Sequence, residues 1–379
     1  GGLTNQGQLI ATGRFELGDG FGFLTNTGGM SFGSTHRFTL AGAFSNSGVF
    51  AATGAISIAA ARITSSGAMQ AGGGISLTST AQLTLAGSLV AEGAMSLRGT
   101  AIETADNTRI AATQLAIIGA SFVNRGDVAL SGTARNDWTL TAGYAQHGLA
   151  WSAGALRISA ANAAIHSGSL LATGSALTLM TEQGITISGK VNAASATLTG
   201  NGISVGTGSS IVTTDNMTLA GLGAGSGSVT LAGEALSGKT LTISGHDIGL
   251  TGQVFGEVIT ATAGRDVTVT GRLSATARIE ATATRRVTNS GTIEASNQVT
   301  LDGGNVTNNA GAEIASTRLF LIAVGNVSNA GSLRGAQDIT VRSNSFGNDA
   351  DARIDAGSLG FDVQTWFTNK GVIDVFGVF

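Results

Sequence analysis

Apolar and polar residues alternate along most of this chain, and the alternation restarts about every 20 residues. The clearest copy of the unit is the stretch 287–301, VTNSGTIEASNQVTL. It begins with an apolar residue, Ser or Thr, Asn, any residue, Gly, any residue and a second apolar residue. A period of two predicts short β-strands, and the regular return of the unit predicts a repeat architecture.

Versions of the unit occur from one end of the chain to the other. Near-copies are 3–9 (LTNQGQL), 24–30 (LTNTGGM), 44–50 (FSNSGVF), 122–128 (FVNRGDV), 327–333 (VSNAGSL) and 367–373 (FTNKGVI). With the Gly as anchor, and with two degenerate copies near Asn107 and Ala352, we predict about 19 units of roughly 20 residues. The whole of 1–379 is therefore predicted to be one continuous β-solenoid domain.

Two apolar columns define the predicted interior. They lie four residues before the anchor Gly (Leu24, Phe44) and two after it (Met30, Phe50, Leu170). We predict three short strands per turn, with successive turns paired in parallel about 4.8 Å apart. The Gly and Asn residues at the joints are expected to supply positive φ angles where the chain changes direction.

An Asn recurs two residues before the anchor Gly. Either its amide hydrogen-bonds along the stack, as in amide ladders, or it simply tolerates a turn conformation. Both interpretations are structural. The predicted ladder residues are Asn5, Asn26, Asn46, Asn124, Asn289, Asn309, Asn329 and Asn369.

Composition narrows the class of protein. The chain has 58 Gly, no Pro, no Cys and only 5% aromatic residues, so we expect a thin interior of small and β-branched side chains. Only 11% of residues are charged and the net charge is −3, which argues against nucleic acid or an anionic membrane as partner. Without an initiating Met or an apolar run of membrane-spanning length, the chain is expected to be an internal part of a longer protein.

Candidate chemistry is sparse. Asp247 and Asp266 lie 19 residues apart at matching positions of adjacent units, beside His246 and Arg265. They could form a general acid and base for polysaccharide cleavage, or they could be solvated strand starts. We predict no catalytic residue, no cofactor and no small-molecule substrate.

Metal and phosphate sites are not predicted either. The four His residues (His36, His147, His166, His246) lack the spacing of metal ligands, and Cys is absent. The Gly-rich run 221–227 has no Gly-Lys-Ser/Thr, so it is interpreted as a turn. This run belongs to one of two segments predicted to be irregular, 213–233 and 136–151.

Segment 136–151 has the most distinctive local composition. It concentrates Trp138, Tyr144, His147 and Trp151. These side chains could form an exposed contact patch for a glycan or a protein, or they could fill the core. Alternation places Trp138 and Leu140 on one face, so at least one ring is expected to be interior.

The repeat, in a chain free of Cys and Pro and rich in Gly, Ala and Thr, resembles the haemagglutinin repeats of filamentous-haemagglutinin-like exoproteins of two-partner secretion systems. The resemblance covers essentially the whole chain and implies a right-handed parallel β-helix. The family includes adhesins and the stalks of contact-dependent growth inhibition toxin-delivery proteins. Its repeats form scaffold, so the resemblance carries no functional residue over to this chain.

Together these features predict a non-enzymatic extracellular shaft, secreted or held at the outer surface of a Gram-negative bacterium. Its expected partners are the outer-membrane secretion pore during export and, through the parent protein, a receptor or glycan on a host or neighbouring cell. An ice-binding solenoid is a further alternative, but Thr-x-Thr is sporadic, as at Thr268 and Thr270.

Overall fold

The computed structural model describes residues 1–13, 15–17, 20–223 and 227–377. Every regular element among them is a β-strand. The chain divides into two compact units: unit 1 comprises 1–182 and 189–194, and unit 2 comprises 183–188 and 195–379. The prediction of one continuous domain over 1–379 stays a prediction, and each unit is described by itself.

Unit 1 consists mainly of strands of four or five residues, three to a turn. Its strands are β1 Gly2–Asn5, β2 Gln8–Ala11, β3 Phe23–Asn26, β4 Gly29–Phe32, β5 His36–Thr39, β6 Ala43–Asn46, β7 Val49–Ala52, β8 Ile56–Ala60, β9 Arg62–Ser65, β10 Ala68–Ala71, β11 Ile75–Ser79, β12 Gln82–Leu85, β13 Ser88–Ala91, β14 Ala94–Thr104, β15 Arg109–Ala112, β16 Gln114–Asn124, β17 Asp127–Leu130, β18 Asn136–Gln146, β19 Leu149–Ser152, β20 Leu156–Ala160, β21 Asn162–Ile165, β22 Leu170–Thr173, β23 Ala176–Thr181 and β25 Lys190–Ala193.

Unit 2 begins with short strands and continues with strands of up to 18 residues that bend through a corner without a break. Its strands are β24 Ile185–Ile187, β26 Ser195–Gly200, β27 Gly202–Val205, β28 Ser210–Thr213, β29 Met217–Gly221, β30 Ser228–Leu231, β31 Glu234–Ser237, β32 Thr240–Leu250, β33 Gln253–Val269, β34 Arg272–Asn289, β35 Thr292–Asn308, β36 Glu313–Ala323, β37 Asn326–Asn329, β38 Ser332–Asn348, β39 Arg353–Asn369 and β40 Val372–Val375.

Within each unit, a strand pairs in parallel with the strand one turn away. In unit 1, Leu24 of β3 is opposite Phe44 of β6, and in unit 2, Val287 of β34 is opposite Val306 of β35. The fold is the predicted right-handed parallel β-helix, with about 18 turns in all rather than about 19. Parallel strands in one sheet need crossover connections, and these take a right hand almost without exception.

The interior of each unit is built from the predicted apolar columns. Leu24, Phe44, Met30 and Phe50 are fully buried. Leu170 is an exception, because its neighbour Leu171 takes the inward position instead. The corner before β22 is longer than most, which shifts the alternation by one residue.

Glycines in the tight corners are required by close packing between turns rather than by positive φ angles. A Cβ at Gly48 would clash with the carbonyl oxygen of Gly28 one turn earlier, and a Cβ at Gly291 would clash with that of Gly271. No described non-Gly residue has positive φ, and neither Gly48 nor Gly291 does. The predicted reason for these glycines was therefore wrong, although their positions were right.

Longer corners replace the tight ones at 105–108, 166–169, 206–209, 309–312 and 349–352. Each is closed by a backbone hydrogen bond from the fourth residue to the first, such as Ala312 N to Asn309 O at 3.1 Å. Gly311 has a φ of 75° here, the left-handed conformation that glycine adopts most easily.

Of the two segments predicted to be irregular, 136–151 is largely regular strand, whereas 213–233 alternates short strands with non-strand residues such as 214–216 and 222–223. Segment 136–151 contains β18 and the start of β19, and departs from the repeat only by a bulge where β18 pairs with β16. Segment 213–233 contains β29 and β30. The Gly-rich run between these two strands includes residues 224–226, which lie outside the described residues.

Candidate functional site

Two of the four residues of the predicted contact patch are core residues. Trp138 and Tyr144 are each 1% exposed. Both alternate inward from β18, and the ring of Trp138 meets Phe122 edge-on with centroids 5.4 Å apart. The indole Nε1 donates to the carbonyl of Leu115 at 3.2 Å, which satisfies its only donor.

Tyr144 belongs to a buried polar chain. Its hydroxyl donates to Oε1 of Gln146 at 2.5 Å, and Nδ2 of Asn124 donates to the same oxygen at 3.2 Å. Burial removes the water that would stabilise a charged phenolate, and this raises the pKa of Tyr144 well above its usual value. Tyr144 therefore remains neutral and acts as a hydrogen-bond donor inside the unit.

His147 and Trp151 are the two exposed members of the predicted patch. The imidazole of His147 stacks on that of His166, with ring centroids 3.8 Å apart and planes within 9°. Desolvation, followed by the charges of His166 and Arg125, lowers the pKa of His147. With Trp138 and Tyr144 inside, a contact patch of four side chains does not exist, since alternation in a half-buried strand sends neighbouring rings to opposite faces.

The Asp247 and Asp266 pair is brought together as the spacing indicates, since the two residues are opposite each other in β32 and β33. Each carboxylate, however, is paired with an arginine from the following turn. Arg265 Nε donates to Asp247 Oδ1 at 2.8 Å, and its Nη2 bonds the other oxygen. Arg285 Nε bonds Asp266 Oδ1 at 2.9 Å and its Nη2 bonds Oδ2.

These ion pairs decide what the carboxylates can do. The hydrogen bond from Arg285 holds the pKa of Asp266 below its usual value, against the opposing effect of partial burial. Asp266 is therefore ionised at neutral pH and poorly suited to donate a proton. Each ion pair joins one turn to the next, so the arrangement is better suited to electrostatic cross-linking of turns than to acid–base chemistry.

The recurring amides form hydrogen-bonded ladders. In unit 1, Asn5 Nδ2 donates to Asn26 Oδ1 and Asn26 Nδ2 to Asn46 Oδ1, each at 2.8 Å. In unit 2 the ladder runs through Asn289, Asn308, Asn329, Asn348 and Asn369, with steps of 2.7–2.9 Å.

Asn309 is not in this ladder, and the prediction that placed it there was wrong. Asn308 occupies the buried position, while Asn309 starts the longer corner and donates to the hydroxyl of Ser290 at 2.7 Å. Counting back from Gly311 gave the error. The apolar-Thr-Asn triplet Val306-Thr307-Asn308 carried the correct signal, whereas Asn348 and Gln146 lacked it because Gly347 and Ala145 replace the Ser or Thr.

No group of three or more His, Cys, Asp and Glu side chains in the described ranges is arranged to hold a metal ion. Across the same ranges there is no helix with the length and apolarity needed to cross a bilayer.

A groove of about 1070 Å³ with a mixed polar and apolar lining lies in unit 2. The groove runs along the stack of turns. On each turn, an outward residue before the bend, such as Ser274, lines one side, and a residue just after the bend, such as Thr276, lines the other. Arg272, Glu294, Arg334 and Asp355 contribute charges to it, and Phe255 contributes an aromatic ring. Sequence reasoning missed this groove because its residues belong to six or more turns and none of them forms a local motif.

Comparison with known proteins adds no relationship: no protein-family model, no curated protein and no solved structure matches the chain.

Proposed function

We propose that the chain is an extracellular structural shaft within a large secreted bacterial adhesin or contact-dependent toxin-delivery protein. In this role it holds a distal functional region away from the surface of a Gram-negative cell. The parent protein would contact a receptor or glycan on the target cell, and the chain would pass through an outer-membrane pore during export.

The observation that carries the proposal is the in-register pairing of every turn with the next inside each unit. Each turn buries an apolar layer such as Val287 and Ile293, and the stack adds these layers one by one. Stability and stiffness then increase with the number of turns, as in other solenoids. A parallel β-helix of this kind fits an extended structural or adhesin-like protein.

The proposal assigns the chain no catalysis. Asp247 and Asp266 are each engaged by an arginine, and their roles are explained by cross-linking between turns. Asp266→Asn should therefore leave any carbohydrate processing by the parent protein unchanged. A loss of polysaccharide cleavage in that variant would favour the enzyme alternative instead.

Solution scattering of residues 1–379 tests the shaft directly. If the units continue one stack of about 18 turns, the maximum dimension should be about 85 Å or more. Deletion of residues 272–291, one whole turn, should shorten the particle by about 5 Å and leave it folded, because Gly271 would then precede Thr292, the register partner of Arg272.

Deletion of residues 272–281 is the matched control, since it removes half a turn and destroys the register. It should unfold or aggregate. A compact particle from the intact chain, or equal tolerance of both deletions, would contradict the shaft. Fractionation of the producing bacterium should find the chain outside the cytoplasm.

A further inference from the structure

The groove in unit 2 has a shape fixed by the bends in β33, β34, β35, β36 and β38. At several of these bends the pairing register shifts, for example after Gly256, Ala295 and Gly335. A bulge of this kind turns the strand sharply. A Cβ at Gly335 would clash with Asp338, so the chain passes too closely there for any other residue.

One wall of the groove is a single outward column. Its members are register partners on consecutive turns: Phe255, Ser274, Glu294, Ala315, Arg334, Asp355 and Asp374. Six steps of about 4.8 Å make this wall about 29 Å long. The opposite side is lined by the small residues Thr276, Ser296, Thr317 and Ala336. An extended ligand fits this shape better than a compact one.

The charges of the groove balance. Arg272, Arg334 and Arg353 face Glu294, Asp355 and Asp374. Arg272 Nε donates to Glu294 Oε1 at 2.9 Å. A groove with paired charges of both signs offers no net attraction to a polyanion or a polycation.

Donors, acceptors and an apolar surface remain for a polar uncharged ligand. Arg334 is loosely paired, with Nη1 3.9 Å from Glu313 Oε1, so its N–H groups can bind ligand oxygens. Ser274 and Ser296 add hydroxyl groups. Phe255 is 39% exposed and presents a ring to the groove. Sites of this type combine apolar contact with a few placed polar groups.

A peptide is a poorer fit for a physical reason. The N–H and C=O groups of these strands are used in pairing along the stack, for example between β34 and β35. From β33 to the start of β39 these strands are paired on both sides, so a peptide could add a strand only at β40, at the end of the groove. Recognition must rely on side chains.

We propose that this groove binds a neutral oligosaccharide lying along the stack, with a sugar ring against Phe255 and hydroxyl groups bonded to Glu294 and Arg334. This goes beyond the shaft: it gives the side of the β-helix a contact with a polysaccharide surface. Affinity comes from several weak contacts on successive turns, so it should increase with the length of the oligosaccharide.

The test is binding of the full chain to a panel of immobilised oligosaccharides of increasing length. The panel contains neutral glucose, galactose, mannose and N-acetylglucosamine oligomers, uronic acid oligomers, and extended peptides. We expect binding to at least one neutral series and at least a tenfold loss of that binding in Phe255→Ala/Glu294→Gln. Ala315→Trp, which fills the groove at a wall position without a polar side chain, should lose binding similarly.

The matched control is Phe320→Ala/Glu280→Gln. These two residues share an outward column that does not line the groove, with Thr300 between them. The control should bind as the wild type does, and its melting should match that of the groove variant. Absence of binding to every neutral oligomer, preference for uronic acids or peptides, or unchanged binding in both groove variants would overturn the proposal. None of these results would alter the scattering test of the shaft.

Discussion

The two halves of unit 2 place different kinds of side chain at the same inward corner position. One register position on successive turns is aliphatic at Ile187, Val205, Leu231, Leu250 and Val269, and then amide at Asn289, Asn308, Asn329, Asn348 and Asn369. Both sets are fully or almost fully buried except for Asn369 in the last turns. The position thus accepts either apolar packing or a continuous hydrogen-bonded chain.

The difference shows that an amide turn beside an aliphatic turn needs another hydrogen-bond partner on that side. An amide among aliphatic side chains would leave buried donors and acceptors unpaired. At the border, Asn289 Oδ1 meets Val269, which cannot donate, and accepts instead from the backbone of Gly291 at 3.1 Å. In unit 1, the opposite end of an amide run is closed by Ser65, whose hydroxyl accepts from Asn46 Nδ2 at 3.3 Å.

The largest effect is expected from an amide placed inside the aliphatic half. Leu250→Asn should destabilise the surrounding turns by about 4 kcal/mol, because it removes a buried aliphatic group and adds an unpaired amide. Val269→Asn should cost about half as much, because the new amide can donate to Asn289. Hydrogen exchange of the strand amides measures both. Equal costs would remove the distinction between the two halves.

The reverse exchange tests the amide half. Asn308→Leu should cost about 2 kcal/mol, since it breaks the side-chain hydrogen bonds from Asn289 and to Asn329, and burial of the new side chain offsets part of this. Asn309→Leu, one residue later and outside the ladder, should change stability by less than about 0.5 kcal/mol. Urea unfolding of both variants measures the contrast, and it fails if Asn309→Leu is the more harmful.

The amide chain of unit 1 predicts a smaller effect that depends on pH. Tyr144→Phe removes the hydroxyl that binds Gln146 and should cost about 1 kcal/mol near neutral pH. Because burial raises the pKa of Tyr144, its contribution is complete below about pH 10, the unfolded pKa, and is lost as pH rises beyond it.

Tyr144 is the only Tyr, so tyrosinate absorbance reports on it alone. The absorbance should appear only as the unit unfolds in alkali. Titration of the folded protein near pH 10 would show that Tyr144 is accessible, contrary to its burial.

The smallest effect concerns His147, at the corner after Gln146. Its pKa is lowered in the folded protein, so the related stability is present above about pH 6.5 and declines as pH falls below that value. NMR titration should give His147 a pKa below that of an unfolded histidine. His166→Gln should raise it by removing the neighbouring charge, and an unchanged value would contradict the role of the stacked pair.

Much of the fold could be predicted from the sequence because the same pattern of apolar, polar and Gly positions occurs in almost every turn. One misread copy, such as the column at Leu170, does not alter the architecture. The error at Asn309 arose at the longer corner 309–312. Gly311 keeps the expected spacing of 20 residues from Gly291, but β35 ends three residues before this Gly, at Asn308, rather than two. Corner length depends on packing between turns, which a single copy of the unit does not encode.

The candidate sites were harder to predict for a related reason. Composition singled out Trp138 and Tyr144, but which face a ring occupies depends on the strand register, and a bulge lies in β18. The Asp247 and Asp266 pair was located by spacing, yet its chemistry is set by Arg285 from a third turn. The groove depends on bends in long strands, and alternation alone does not reveal where a strand bends.

Side-chain amide exchange of Asn308 and Asn309 tests the corner account most directly. In protein labelled with ¹⁵N at asparagine, the NH₂ protons of Asn308 should exchange far more slowly than those of Asn309, because only Asn308 is held between two amides inside the unit. Replacement of Asn329 by Leu should speed the exchange at Asn308 and leave Asn309 unchanged. Equal exchange at the two neighbours would contradict a buried ladder as the basis of the corner.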